Sequence, residues 1–202
     1  FISLMVLCKP GDTVLLESPI YYNMIHLLKR LNLRIIELAA SPTEGIHLDT
    51  VQFILENYSV NVMFSIPNFN NPLGHMMPSW KKKELVNILN QFNIPLIEDD
   101  VYGDLAYGKR PDTCKTFDQS GNVILCSSFS KTIAPGLRIG WAVPGQYLDD
   151  YLKIKTIFNL SSTSINQIAL AKFLKEGGYE RHLRHIRKKL SEQVILLRES
   201  II

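Results

Sequence analysis

The order of apolar runs along the chain is the feature that most constrains its fold. Short apolar runs alternate, from one end of the chain to the other, with segments whose apolar residues recur at helical spacing. Strands that alternate with helices predict crossover connections, and these join parallel neighbours. We therefore predict an α/β fold with a doubly wound, mostly parallel sheet. The predicted strands span residues 13–18, 34–40, 61–67, 94–100, 122–129 and 137–144.

The connection before the last predicted strand is too short for a crossover helix. It runs from Lys131 to Leu137, whereas a parallel crossover needs roughly a dozen residues or more. We therefore expect strand 137–144 to run antiparallel to the strand before it.

Helix boundaries are predicted from spacing and from capping residues. Asp49, with Gln52 three residues later, has the spacing of a capping box. Asn166 is a good N-cap for a later helix that we expect to stop at Gly177 and Gly178. Two further helices are predicted from apolar spacing, one through Tyr21, Met24, Ile25, Leu28 and Leu31, the other through Leu85, Ile88, Leu89 and Phe92.

Composition restricts the class of protein. The 202 residues are 46% hydrophobic and 20% charged, which is typical of one large α/β domain. Three cysteines without a CxxC spacing favour a reducing, cytoplasmic compartment. No apolar run approaches the roughly 20 residues that span a bilayer. The sequence thus predicts a cytoplasmic protein without a membrane span.

Charge and chain ends carry weaker signals. The net charge of +3 is spread along the chain except for "YERHLRHIRKKLSEQ". This run favours a solvated helix face and only weakly supports nucleic-acid binding. Both ends lie inside helical patterns without start or stop signals, so we expect a fragment of a longer protein.

Polar clusters follow three neighbouring predicted strands. They are "PNFNNPLG", "EDDVYGDL" and "SSFSK". Ligands of open α/β sheets bind at the carboxyl ends of the strands. Each cluster alone also fits a structural turn or a helix cap. Together they predict a ligand site at this edge of the sheet.

Lys131 is the polar residue hardest to explain structurally, because apolar strands flank it on both sides. We expect it to be buried, and burial favours the neutral amine, which is nucleophilic toward carbonyls. Lys131 is therefore a Schiff-base candidate. Ser128, Ser130 and Arg138 would suit the phosphate of an aldehyde cofactor. A carboxylate at the Asp99–Asp100 strand end would keep a pyridine nitrogen protonated.

The motifs "NNPLG", "DDVYGDL" and "SSFSKTIAPGLRIGW" resemble the fold-type I pyridoxal-phosphate (PLP) enzymes of the aspartate aminotransferase type. The amino-acid sequence around these motifs is most similar to the aminotransferase-like domain of MocR-type regulators, in which a GntR-like winged helix-turn-helix precedes the PLP domain. The resemblance implies a three-layer α/β/α large domain over residues 1–178, and a helix over 179–202 that leads to a small C-terminal domain. It also implies that the first strand, one phosphate-binding loop and the small domain lie outside this sequence.

The resemblance implies roles for individual residues. Lys131 corresponds to the lysine that forms the internal aldimine and moves the substrate's α-proton. Tyr21 stands where the family stacks an aromatic ring on the cofactor, although Tyr22 is an alternative. Asp100 is the alternative to Asp99 for the pyridine nitrogen. The other expected cofactor contacts are Ser128, Ser130 and Arg138 at the phosphate, Asp99 at the pyridine nitrogen, and Asn71 and Tyr102 at the phenolic oxygen.

Three functions remain open from the sequence. The first is the PLP-binding, effector-sensing part of a MocR/GntR-type regulator, which responds to an amino acid or amine and contacts DNA through another domain. The second is a piece of a free-standing aminotransferase that transfers an amino group to a 2-oxo acid. The third is an α/β scaffold without PLP. In either PLP-binding case the resemblance implies a homodimer and a 202-residue fragment that is inactive alone. Tyr107 and His75 are expected to be structural or surface residues.

Overall fold

The computed structural model describes residues 1–201, which form two compact units. The first unit comprises Phe1–Asp100, Asp112–Ser127 and Ala142–Leu160. The second comprises Val101–Pro111, Ser128–Trp141 and residues 161–201. No helix among residues 1–201 is both long and apolar enough to cross a membrane.

In the described part of the chain, seven strands form one sheet in the order β3-β2-β1-β4-β5-β6-β7. The pairs β1·β2, β1·β4, β4·β5 and β5·β6 are parallel, which confirms the predicted mostly parallel sheet. The strands are β1 (Thr13–Ser18), β2 (Arg34–Ser41), β3 (Gly45–Ile46), β4 (Val62–Ser65), β5 (Leu96–Asp99), β6 (Val123–Ser128) and β7 (Gly140–Val143).

Two strands depart from the sequence prediction. β3 was not predicted, because two residues are too few to show a period, and it pairs antiparallel with β2. β7 begins at Gly140 and not at residue 137, since Pro135–Leu137 form a 3-10 turn and Arg138 has a left-handed backbone with φ of 50°. The connection from β6 contains no crossover helix, so β7 runs antiparallel to β6, as predicted.

The seven helices within residues 1–201 confirm the predicted helical segments but not all of their caps. Asp49 lies inside the first turn of its helix, whose N-cap is His47, so the predicted capping box is wrong. Asn166 is also inside its helix, because Thr163 is the N-cap and the Asn166 amide donates to the Leu137 carbonyl at 2.9 Å. The helices are α1 (Ile2–Leu7), α2 (Tyr22–Arg30), α3 (Leu48–Asn57), α4 (Ser79–Gln91), α5 (Leu148–Asn159), α6 (Ser164–Lys175) and α7 (Gly178–Ile201).

The two glycines after α6 have different roles. Gly177 has a positive φ of 70° and ends α6, as a glycine after a helix commonly does. Gly178 begins α7, and a Cβ atom there would lie 2.4 Å from the Phe173 ring. The predicted stop is therefore correct for Gly177, whereas Gly178 is required by the close approach of two helices of the second unit.

The core of the first unit has two layers, one on each face of the sheet. Leu15 packs in one cluster, whereas its neighbours Val14 and Leu16 pack in the other. The same alternation separates Met63 from Phe64, because successive strand residues face opposite sides. A sheet buried on both faces is expected for parallel strands.

Candidate functional site

The carboxyl end of β5 carries Asp99, which was predicted to hold a pyridine nitrogen. Asp99 is half-buried and is in register with Cys126 of β6. The next residue, Asp100, is buried, and its carboxylate accepts a hydrogen bond from the Asn68 amide at 2.9 Å. Asp100 is therefore engaged inside the first unit, directly after Asp99 in the chain.

Asn71 lies in the loop that follows β4, before a cis peptide bond to Pro72. Asn70 closes this turn: its side-chain oxygen accepts from the Leu73 amide at 3.1 Å, and its carbonyl accepts from Gly74. The backbone N–H of Asn70 donates to the His75 carbonyl at 3.0 Å. These bonds fix the backbone on both sides of Asn71, which is half-buried.

Tyr21 and Tyr22 occupy the start of α2. Tyr21 is the N-cap of that helix, and its hydroxyl accepts from the Asn23 amide at 2.7 Å. The two rings lie 5.0 Å apart, and both are exposed. Nothing in this arrangement favours one of the two tyrosines as the stacking residue.

The first unit also contains a buried histidine–glutamate pair that the sequence analysis missed. His75 Nε2 lies 3.1 Å from Glu17 Oε2, and both side chains are fully shielded from water. The other carboxylate oxygen of Glu17 accepts from the Ser65 hydroxyl and the Ile66 amide. The pair ties the loop that contains Asn71 to the ends of β1 and β4. His75 was expected to be structural or at the surface; it is buried.

A second buried polar group surrounds Asn68. Lys82 Nζ donates to Asn68 Oδ1 at 2.6 Å and to the Asp112 carbonyl at 2.8 Å. Asn68 in turn donates to Asp100. Burial lowers the pKa of Lys82, an effect that neighbouring charges, among them the Asp100 carboxylate, partly oppose. A lysine–amide–carboxylate chain therefore supports the strand end that carries Asp99.

Glu98 is a further buried carboxyl group of the first unit. Its carboxylate accepts from the backbone amides of Cys114 and Lys115 at 2.7 and 2.9 Å. Burial raises the pKa of Glu98 to about 7, although the two amide donors favour the charged form. The side chain therefore titrates near neutral pH while it holds the start of a short 3-10 helix over Cys114–Phe117.

In the second unit, the structure brings Lys131 and Tyr102 together. Lys131 Nζ lies 5.9 Å from the centre of the Tyr102 ring. Lys131 is exposed, so the expectation that it is buried is wrong. The residues around it form a loop that ends in a 3-10 turn, whereas burial between two strands would have required continuous strand on both sides.

The last residue of β6 and the loop after it provide the three residues predicted for a phosphate. The Ser128 hydroxyl accepts from the Ser130 amide at 3.3 Å. Arg138 is exposed, and its guanidinium donates to the Pro135 carbonyl. Its left-handed backbone is uncommon for a residue other than glycine, and such strain is concentrated at functional sites. Hydroxyl, guanidinium and amine groups thus share one loop of the second unit.

Helix α7 anchors both segments that carry these residues. The Tyr179 hydroxyl donates to Asp104 Oδ2 at 2.8 Å, and Arg187 donates twice to the Asp104 carbonyl. His182 Nε2 donates to the Thr132 carbonyl at 2.9 Å, next to Lys131. Burial and the contact with Asp104 raise the pKa of Tyr179 to about 12. One helix therefore fixes the turn after Tyr102 and the loop of Lys131.

Comparison with known proteins identifies the family. The aminotransferase class I and II family matches residues 1–201. The chain belongs to this family.

Two curated relatives are bacterial regulators. The HTH-type transcriptional regulator YjiR of Escherichia coli strain K12 is 42% identical over 191 residues, covering 93% of this chain and 40% of YjiR. The HTH-type regulator YisV of Bacillus subtilis strain 168 is 34% identical over 93% of this chain and 39% of its own length. The chain thus spans about two-fifths of the curated relatives that it matches.

A solved structure gives the same fold. LysN, the α-aminoadipate aminotransferase of Thermus thermophilus, matches with a TM-score of 0.84 and 29% identity, over 93% of this chain and 49% of LysN. LysN was solved in complex with N-(5'-phosphopyridoxyl)-L-leucine. The predicted aminotransferase-like fold is confirmed.

Proposed function

We propose that this chain binds pyridoxal 5'-phosphate and forms the effector-sensing part of a MocR/GntR-type transcriptional regulator. The observation that carries the cofactor proposal is the exposed amine of Lys131, 5.9 Å from the Tyr102 ring, in a loop with two serines and Arg138. The family membership and the phosphopyridoxyl ligand of LysN support the same cofactor.

The donor set fits the chemistry of this cofactor. When bound, PLP supplies an aldehyde and an electron-withdrawing pyridinium ring. A phosphate group needs hydroxyl and guanidinium donors, which Ser128, Ser130 and Arg138 provide. An aldehyde needs an accessible amine, and Lys131 is exposed. In the second unit, the groups that suit the phosphate and the aldehyde of PLP therefore all lie between residues 128 and 138.

Each candidate residue has a distinct proposed task. Lys131 would hold the cofactor at its aldehyde through Nζ and, as a free amine, would move a proton to or from the substrate. Asp99 would keep the pyridine nitrogen protonated. Asn71 and Tyr102 would donate to the phenolic oxygen, and Tyr21 or Tyr22 would cover the ring. Ser128, Ser130 and Arg138 would bind the phosphate.

The curated relatives favour a regulator as the parent protein, because YjiR and YisV are HTH-type regulators. We propose that the small-molecule partner is an amino acid or an amine, that DNA contacts come from a separate domain, and that the full-length protein is a cytoplasmic homodimer. We also propose that residues 179–202 lead into a further C-terminal domain. The second candidate is a free-standing aminotransferase, which the 29% identity to LysN supports less strongly.

The cofactor proposal is tested on the protein encoded by the full reading frame around this sequence. Added PLP should give an absorption band in the visible range, and borohydride should fix the cofactor to the peptide containing Lys131. The variant Lys131→Ala should lose both signals, whereas Lys109→Ala, which removes an exposed lysine, should keep them. An unchanged band in Lys131→Ala would refute the role of Lys131.

The regulator and the enzyme are separated by two measurements on the same protein. A regulator should bind operator DNA with an affinity that changes when an amino acid or amine is added, and should turn over a 2-oxo acid slowly or not at all. An enzyme should show sustained amino transfer without DNA binding. Sustained turnover with no effect on DNA would overturn the regulator proposal.

A further inference from the structure

We propose that the second unit has an anion-binding cleft on α7 that takes a small molecule bearing a phosphate group. The cleft has a volume of about 330 Å³ and is lined by Tyr107, Arg184, Arg187, Lys188 and Ser191. None of these residues is a candidate cofactor contact, so the proposal does not depend on PLP binding.

Helical spacing explains why the lining residues meet. Arg184, Arg187, Lys188 and Ser191 stand at positions i, i+3, i+4 and i+7 of α7, which share one face. Tyr107 reaches the cleft from the segment after Asp104. The basic run that the sequence analysis assigned to a solvated helix face therefore has one side that lines a concave surface.

The charges that line the cleft are all positive. Two guanidinium groups and one ammonium group are accompanied by the Tyr107 and Ser191 hydroxyls. Lys188 lies 3.9 Å from Glu192, but both side chains are exposed, so this pair is weak. The Asp104 carboxylate is occupied by Arg110 and Tyr179. The cleft therefore retains a net attraction for anions.

Shape and donor type favour a small phosphorylated ligand. A volume near 330 Å³ is at the lower end of the range for small-molecule sites. Arginine forks match the geometry of phosphate oxygens, and the hydroxyls add further donors. A nucleic-acid backbone would instead need cations along an extended surface, whereas Lys189 lies on a different side of α7 from the lining residues.

Arg187 links the cleft to the candidate cofactor residues of the same unit. It lines the cleft and donates to the Asp104 carbonyl through Nε at 2.9 Å and Nη2 at 2.6 Å. Asp104 is two residues from Tyr102. An anion that binds the Arg187 guanidinium would therefore compete with the Asp104 carbonyl, which lies in the turn that follows Tyr102.

The test is a titration of the full-length protein with inorganic phosphate at constant ionic strength, followed by calorimetry or NMR shifts. Charge reversal in Lys188→Glu and Arg184→Glu should weaken saturable binding tenfold or more. Lys189→Glu makes the same charge change on the same helix and should stay within twofold of wild type. Lys188→Gln provides a milder variant should charge reversal disturb folding. An absence of saturable binding, or equal losses in all variants, overturns the proposal.

Two further experiments distinguish phosphate binding in the cleft from binding at the candidate cofactor residues and from DNA binding. Arg138→Ala should leave phosphate binding in the cleft unchanged; if it abolishes binding while Lys188→Glu does not, the anion sits with the candidate cofactor residues and the cleft proposal is wrong. A short DNA duplex should compete poorly with phosphate. Tight duplex binding that is weakened as much by Lys189→Glu as by Lys188→Glu would identify a nucleic-acid face and overturn the small-ligand site. Loss of PLP binding in Lys131→Ala bears on neither result.

Discussion

The two units support their candidate residues in opposite ways. In the first unit, Asp99 and Asn71 stand above side chains that are almost wholly buried: Glu17, His75, Lys82, Glu98 and Asp100 are each at most 2% exposed. In the second unit, Lys131 and Arg138 are exposed, and their loop is held to α7 by a few contacts.

This difference suggests a division between a rigid support and an adjustable loop. Buried polar groups that are hydrogen-bonded to one another tolerate little movement, because a lost partner leaves an uncompensated group out of water. Loops with few buried contacts open at low free-energy cost. The predictions below test whether the two regions differ as sharply as their contacts indicate.

The largest effect is expected for the buried lysine of the first unit. Lys82→Met keeps the apolar stem but removes the donor that Asn68 Oδ1 and the Asp112 carbonyl share. Asn68 Oδ1 then loses its buried donor, and the Asp112 carbonyl keeps the 3.2 Å bond from the Asn68 side-chain amide, so the free energy of unfolding should fall by about 2–4 kcal/mol. Urea denaturation measures this loss. Lys83→Met, an exposed neighbour on α4, should change it by less than about 0.5 kcal/mol. Equal effects of the two substitutions would mean that the buried network is not rigid.

The next effect is a pH dependence that Glu98 causes. Its folded-state pKa of about 7 lies above the unfolded value of 4.5, so the folded state binds the proton more tightly. The stability that this proton contributes is fully present below pH 4.5 and is lost as the pH rises through 7. Glu98→Gln removes the dependence, so wild type should lose about 2–3 kcal/mol relative to the variant between pH 4.5 and 8.

Urea denaturation of both proteins across that range checks the sign. The comparison isolates Glu98, because every other titrating group is shared by the two proteins. A difference between the proteins that stays constant with pH, or one that grows in favour of wild type as the pH rises, would contradict the raised pKa.

Strands β1, β3 and β7 show which parts of the fold can be predicted from the sequence. A short apolar run such as that of β1 predicts a strand correctly, because five of its six residues are buried. The short strand β3 and the turn that shifts the start of β7 escape such patterns, since each depends on a few backbone angles. The residue type of Arg138 does not predict its left-handed backbone conformation.

The buried network shows why the support of the site was missed. Partners such as Glu17 and His75 are 58 residues apart, so no local spacing connects them. One signal was available: Glu17 and Glu98 stand inside apolar strands, and the argument used for Lys131 applies to them. That argument predicts their burial correctly, whereas it fails for Lys131, because a loop and a 3-10 turn follow β6.

A smaller effect is expected where α7 holds the turn after Tyr102. Tyr179→Phe removes the hydrogen bond to Asp104 Oδ2, whereas Asp104 Oδ1 keeps its bond from Arg110. The free energy of unfolding should fall by about 1 kcal/mol. Tyr58→Phe, an exposed position in the first unit, is the matched control. A loss as large as that of Lys82→Met would erase the proposed contrast between the units.

Replacement of His182 is expected to have the smallest effect on overall stability and a clear effect on hydrogen exchange in the loop of Lys131. His182→Ala removes the donor to the Thr132 carbonyl but leaves the Phe129–Tyr179 ring contact, so stability should change by at most about 1 kcal/mol. The amide of Ile133, which donates to the Phe129 carbonyl at 2.9 Å, should exchange with solvent several-fold faster, because the loop then opens more often. Amides of β1 and β4 should keep their wild-type exchange rates. Hydrogen exchange followed by NMR measures both sets in one sample. Uniform acceleration in both units would show that the loop of Lys131 is not independently adjustable, whereas acceleration confined to the loop means that its contact with α7 restrains it.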